Sequence, residues 1–261
     1  MNYLPKIALS LGIITTLSAC MSTQAPVAST SEASPPPTPA YSRSTENQQL
    51  GTQWGEGISS GVTTVNLYRA SSRPVDTIQI QYAAINYSGR NIQEAMLANG
   101  RIGMSILDNY GRKWPITENP QGLYLKGQDG ERYQIFFQNY SQNTYEIVTT
   151  VDGLDVLNGS PGSLNNRGYV LYPNSTLTIQ GFRKNTNEVA AFRFSAPADA
   201  YAANTAAGSP RNIGVIGTAV FELNNPRPNR QPNSRPGQTT PQAFPGDNHG
   251  GNYAAPPNYR H

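Results

Sequence analysis

Along residues 76–223 apolar and polar side chains alternate with a period of two. In DTIQIQYA, Ile78, Ile80 and Tyr82 fall on one side and Gln79 and Gln81 on the other. That is the pattern of a strand with one face buried. RYQIFFQNY sets Tyr133, Ile135 and Phe137 against Gln134, Phe136 and Gln138. YEIVTTVD sets Tyr145, Ile147, Thr149 and Val151 against Glu146, Val148 and Thr150. Further strands are predicted at 176–182, 189–195 and 213–223. Turn residues punctuate them. Gln128-Asp129-Gly130-Glu131 predicts a hairpin between LYLKG and RYQIFF, and Asp108-Asn109-Tyr110-Gly111 predicts another between GMSIL and RKWPI. Ser141-Gln142-Asn143 predicts a third hairpin, joining the strand ending at 140 to the one beginning at 144. Two stretches read as helical. Asn91–Ala98 has an Asn cap, Glu94 three residues on and Gly100 past its end, and Asp199–Ala203 is a single turn. The predicted fold is all-β: one β-sandwich or open barrel with one short helix.

Composition agrees with that reading and bounds the domain. Charged residues are only 13% of the 261, beside 24 glycines, 21 prolines and 15 tyrosines. Residues 1–19, MNYLPKIALSLGIITTLSA, have a basic start and an apolar run too short to span a bilayer, as a signal peptide does. Residues 20–50 are rich in Ser, Thr, Ala and Pro and read as a disordered tether. Residues 51–225 form the sandwich domain. Residues 226–261 read as a disordered basic tail rich in Pro, Asn and Gly, with Arg227, Arg230, Arg235 and Arg260 against Asp247.

Leu17-Ser18-Ala19-Cys20 directly after the apolar run resembles the lipobox of bacterial lipoproteins. The resemblance implies that Cys20 is acylated and anchors the chain to a membrane. With Met21 rather than Asp at the next position, it implies outer-membrane sorting in a Gram-negative host. Cys20 is the only cysteine, so no disulfide is available to the domain. Nucleic acid is disfavoured as a partner, because the protein is exported and its surplus basic residues lie outside the predicted fold.

Candidate chemistry is sparse. The two histidines, His249 and His261, lie in the tail, which leaves the predicted domain without an imidazole base or the usual zinc ligands. No phosphate loop or Ser-x-x-Lys pair occurs, so no cofactor is predicted. Acid-only glycoside hydrolysis stays open, with Asp152 and Asp155 close in sequence and Glu146 or Asp129 able to join them. In TTVDGLDVLNG, Asp152, Asp155 and Asn158 recur every three residues. They are a candidate ligand loop, but a calcium loop needs alternate oxygens and a terminal Glu, and turns use Asp-Gly and Asn-Gly. Turns are expected, and no metal.

Exposed rings near turns can stack on sugars, which makes Tyr110, Trp114, Tyr169 and Tyr172 candidate surface contacts; Arg167 and Arg183 are candidates for anions. The run VTTVDGLDVLNG, with RGYVLYPNSTLTIQGFRKNTNEVAAFRFS and IGVIGTAVFEL, resembles a domain of exported proteobacterial proteins over residues 130–223. The resemblance implies a compact β-rich module and assigns no catalytic residue. The expected function is a non-catalytic accessory or assembly component that contacts another envelope protein. A glycan-binding module is the alternative, and a carboxylate-dependent hydrolase the third reading.

Overall fold

A computed structural model describes residues 48–224, 242–243 and 253–259; the signal segment, Cys20 and most of the tether and tail lie outside them. The described strands are β1 (Gly51–Ser59), β2 (Thr63–Thr64), β3 (Asp76–Ala83), β4 (Arg90–Ile92), β5 (Ala95–Leu97), β6 (Ile102–Asp108), β7 (Lys113–Trp114), β8 (Ile116–Asn119) and β9 (Gly122–Lys126). They continue as β10 (Arg132–Asn139), β11 (Tyr145–Val151), β12 (Leu154–Asp155), β13 (Tyr169–Leu171), β14 (Thr176–Ile179), β15 (Gly181–Arg183), β16 (Glu188–Ser195), β17 (Val215–Glu222) and β18 (Gln242–Ala243).

They form two sheets. One has eight strands, with the path β1-β16-β10-β6-β5 and with β7, β14 and β15 attached at its sides. The other has ten, with the path β2-β18-β13-β11-β17-β3-β9-β8-β4 and with β12 on β11. The fold is all-β with two sheets and no closed barrel, and among the described residues helix is confined to 3-10 turns such as Pro197–Asp199 and Tyr201–Ala203.

The expected alternation is realised in β3, where Ile80 and Tyr82 are buried and Gln79 and Gln81 exposed. Inward rings from both sheets fill the core: Tyr133 stacks on Phe194 at 4.4 Å, Phe194 meets Tyr82 at 5.2 Å, and Phe182 meets Tyr201 at 4.6 Å. Each such side chain contributes about 2–3 kcal/mol over an exposed one. β11 departs from alternation, because both of its faces are covered. On its second face Glu146 pairs with Arg69, whose guanidinium lies 3.5 Å over the Phe221 ring.

Three local expectations are corrected. Asn91–Ala98 is no helix. Its residues enter β4 and β5, which pair with β8 and β6, and Ala95 and Leu97 are buried around an exposed Met96. Glu94 bonds the Tyr140 hydroxyl and pairs with Lys113 instead of capping Asn91. The Asp129-Gly130 segment does turn, with Glu131 N–H bonded to Gln128 at 3.0 Å, but it joins no hairpin. β9 lies parallel to β3 in one sheet while β10 lies in the other, so the turn carries the chain across the core. Residues 141–143 cross between sheets in the same way, around Asn139, whose side chain bonds Asn143 and Tyr172 carbonyls at 2.8 and 2.9 Å. The β6–β7 hairpin at Asp108–Gly111 forms as expected, with Gly111 at φ +77°.

Part of the stretch read as tail belongs to the fold. Ala254 N–H bonds the Arg183 carbonyl and Asn258 N–H the Asn204 carbonyl, both at 2.9 Å, and the Tyr201 hydroxyl donates to Ala255 at 2.8 Å. Ala254 is buried against the Gly159 turn. Ala254→Glu would force a charge into this contact. We expect it to cost about 1–3 kcal/mol and to lower Tm by several degrees. A calorimetric Tm within about 1 °C of the wild type would show that the segment adds no stability.

Candidate functional site

The Asp152 turn is set by local geometry. Asp152 and Gly153 hold φ of +53° and +76°, closing β11 onto β12 through the Val151–Leu154 pair. Asp tolerates this left-handed region, and at position 153 a Cβ would also strike the Asn212 side chain at 2.6 Å. The turn thus delivers a carboxylate into the protein interior.

Asp152 is 1% exposed. Its Oδ2 accepts from Thr52 N–H at 2.7 Å; its Oδ1 accepts from the Tyr82 hydroxyl at 2.5 Å and from Gly214 N–H at 2.8 Å. With the Tyr82 hydroxyl proton donated in a hydrogen bond to Asp152, Thr52 donates to Tyr82 and Tyr133 donates to Thr52, each at 2.7 Å. Burial, then the charge of Asp152, holds the Tyr82 hydroxyl well above its ordinary range, so it stays a donor. Burial also pushes the Asp152 carboxyl up to about 6, against the pull of its donors.

Asp155 is buried as deeply. It accepts from the N–H groups of Leu157 and Asn158 at 2.8 and 3.1 Å and from the Asn166 amide at 3.2 Å. Burial pushes it to about 6, with the charge of Glu146 adding to the rise and its donors opposing it. Asn158 accepts from Ser160 N–H at 2.9 Å, making the second turn. The three residues are therefore joined by turn and core bonds. Among the described residues no group of three or more His, Cys, Asp or Glu is placed to hold a metal.

The proposed surface contacts divide. Tyr169 and Arg183 are each 1% exposed, so neither is a surface residue. Arg183 donates to the Tyr169 hydroxyl at 3.1 Å, to the Ser60 carbonyl, to the Ser60 hydroxyl at 3.2 Å and to the Asn185 carbonyl at 3.3 Å. Its long side chain ends inside because four oxygens are waiting there. Tyr172 is half-buried against Val170, Leu223, Val65 and Leu67, and Arg167 is half-buried.

Tyr110 and Trp114 do come together. Tyr110, 80% exposed, caps the β6–β7 hairpin, and Trp114 sits edge-on to Phe194 at 5.8 Å. Both line a groove of about 710 Å³ that crosses the ends of β1, β16, β10 and β6. The groove also takes in Glu56, Arg132 and Arg193, which sequence reasoning did not single out. Arg193 Nη2 bonds both Glu56 oxygens at 2.9 and 2.8 Å, and its Nη1 bonds the Gly130 carbonyl. The period-two pattern held a signal: Arg193 lies between buried Phe192 and Phe194 and so must face outward.

Compared with protein-family models, with curated proteins and with solved structures, the chain matches none.

Asp152→Ala would strand the Thr52 and Gly214 N–H groups and the Tyr82 hydroxyl without their acceptor. We expect about 3–5 kcal/mol of lost stability in urea unfolding. The pH dependence runs opposite to that of an exposed ion pair. Both aspartates bind protons more tightly folded than unfolded, so their contribution is full below about pH 4 and is lost as pH rises through about 6. Tm should fall between pH 4.5 and 7, and Asp155→Asn should flatten that slope; an unchanged slope would show that Asp155 does not titrate there.

Proposed function

We propose that the chain is a lipid-anchored, non-catalytic recognition module of a bacterial outer membrane. Acyl chains on Cys20 hold it there, residues 20–50 space it from the bilayer, and the sandwich contacts another envelope protein. The observation that carries this reading is how the carboxylates are divided. General acid catalysis by a carboxyl calls for one that is both raised in pKa and reachable by substrate. Asp152 and Asp155 are raised but buried and bonded within the protein.

The groove acids stand on the other side of that division. Burial pushes Glu56 up, but the Arg193 hydrogen bond and the charges of Arg193 and Arg132 bring it below its ordinary value. Slight burial raises Asp108, but the Arg112 and Tyr110 N–H groups with the Arg112 guanidinium bring it below its ordinary value too. Both are ionised acceptors at neutral pH, suited to holding a ligand.

In-cell crosslinking of the tagged chain, with quantitative mass spectrometry against Cys20→Ser, tests the proposal. One envelope protein recovered near stoichiometrically, and lost in the variant, is the expected result. With no protein enriched, the assembly role falls. If Cys20→Ser still incorporates labelled acyl chains, the anchor is misassigned.

A further inference from the structure

We infer that the groove beside the β6–β7 hairpin is a saccharide site, selective for sugars that carry a carboxylate. It goes beyond the protein contact proposed above and can fail without it. The lining contains no Ala, Val, Leu, Ile or Met; its two rings are Tyr110 and Trp114, and the remaining side chains are charged or amide, with one glycine. A protein-docking patch has a broadly apolar centre from which charged residues are depleted. A pyranose instead presents one face of C–H groups and a rim of hydroxyls, which suits two rings set among fixed polar groups.

The groove is organised before any ligand arrives. Asp108 accepts from Tyr110 and Arg112 N–H groups at 2.8 and 2.9 Å and from Arg112 Nε at 2.7 Å, which fixes the hairpin tip. The Arg112 guanidinium then lies 5.2 Å from the centre of the Tyr110 ring, on one face. At 80% exposure the ring keeps its other face for stacking. Glu56, locked by Arg193, retains lone pairs for hydroxyl donors. Less ordering is left for binding to impose.

Selectivity for a carboxylate comes from Arg132. Arg193 spends its donors on Gly130 and Glu56. Arg132 comes only to 3.5 Å of Glu56 through Nη1, and its buried Nε has no partner. Of the groove's cations, Arg112 pairs with Asp108, Lys113 with Glu94 and Arg193 with Glu56, which leaves Arg132 the least committed. A guanidinium held only by a long 3.5 Å ion pair fits a planar carboxylate.

The test is calorimetric titration of the full chain in detergent with two probes. One is a tetrasaccharide alternating N-acetylglucosamine with N-acetylmuramic acid, which carries carboxylates; the other is neutral chitotetraose. Saturable binding of the acidic probe, about tenfold tighter than the neutral one, is expected. Tyr110→Ala, at an exposed position that leaves the core intact, should weaken both about fivefold or more. Arg132→Gln should remove the preference alone. Equal binding of the two probes overturns the carboxylate selectivity. Binding of neither probe, or binding indifferent to Tyr110→Ala, overturns the site. If the groove variants lose a crosslinked protein and no sugar binds, the groove belongs to that protein and the recognition module stands.

Discussion

The two sheets are held in register by one buried carboxylate. Asp152 reaches from the β11–β12 turn to Thr52 on β1, to Tyr82 on β3 and to the Gly214 backbone ahead of β17, and through Thr52 to Tyr133 on β10. Hydrophobic packing between sheets is non-directional and tolerates sliding. A carboxylate that must satisfy several donors at fixed angles does not. The aromatic core therefore packs in the one arrangement that places Tyr82 and Tyr133 on the same hydroxyl of Thr52. The arrangement has a cost, since an ionised carboxyl is being kept from water, and the raised pKa records it.

The same economy governs the other interior charges. Glu146 is met by Arg69 and by Gly168 N–H at 2.8 Å, and Arg183 is met by oxygens alone. Arg69 lies 77 residues from Glu146, and Ser60 lies 123 residues from Arg183. Polar groups inside the domain thus tie long loops to strands.

What the sequence made legible was the period of two, the tight turns and the absence of histidine from the described domain. Ile80, Tyr82, Tyr133 and Phe137 all fall inside as their spacing requires, and Asp152-Gly153 turns as Asp-Gly pairs do. Partner choice was not legible. Nothing local distinguishes the turn at Asp129-Gly130, which crosses between sheets, from the hairpin at Asp108–Gly111. The cap-like spacing of Asn91 and Glu94 is real, but β6 and β8 offered those residues better partners than a helix could. Arg183 looks like a strand-end arginine until Ser60, 123 residues away, supplies its acceptors. The groove was half legible: its two rings announced themselves, while Arg132 and Arg193 are brought side by side only by the pairing of β10 with β16.

The position of Thr52 has a mechanical meaning. It is the second residue of β1, an edge strand that pairs on one side only, and it follows directly on the segment that leads into the domain. Tension arriving along that segment would load the Gln48 and Gln49 contacts with Ala83 and Ala84 first, and then peel β1 from β16 from the Gly51–Ser195 pair onward. The Thr52–Asp152 bond lies one residue further on and is anchored in the opposite sheet. A pull on the residues ahead of β1 is thereby shared between the two sheets before the outer strand can unzip.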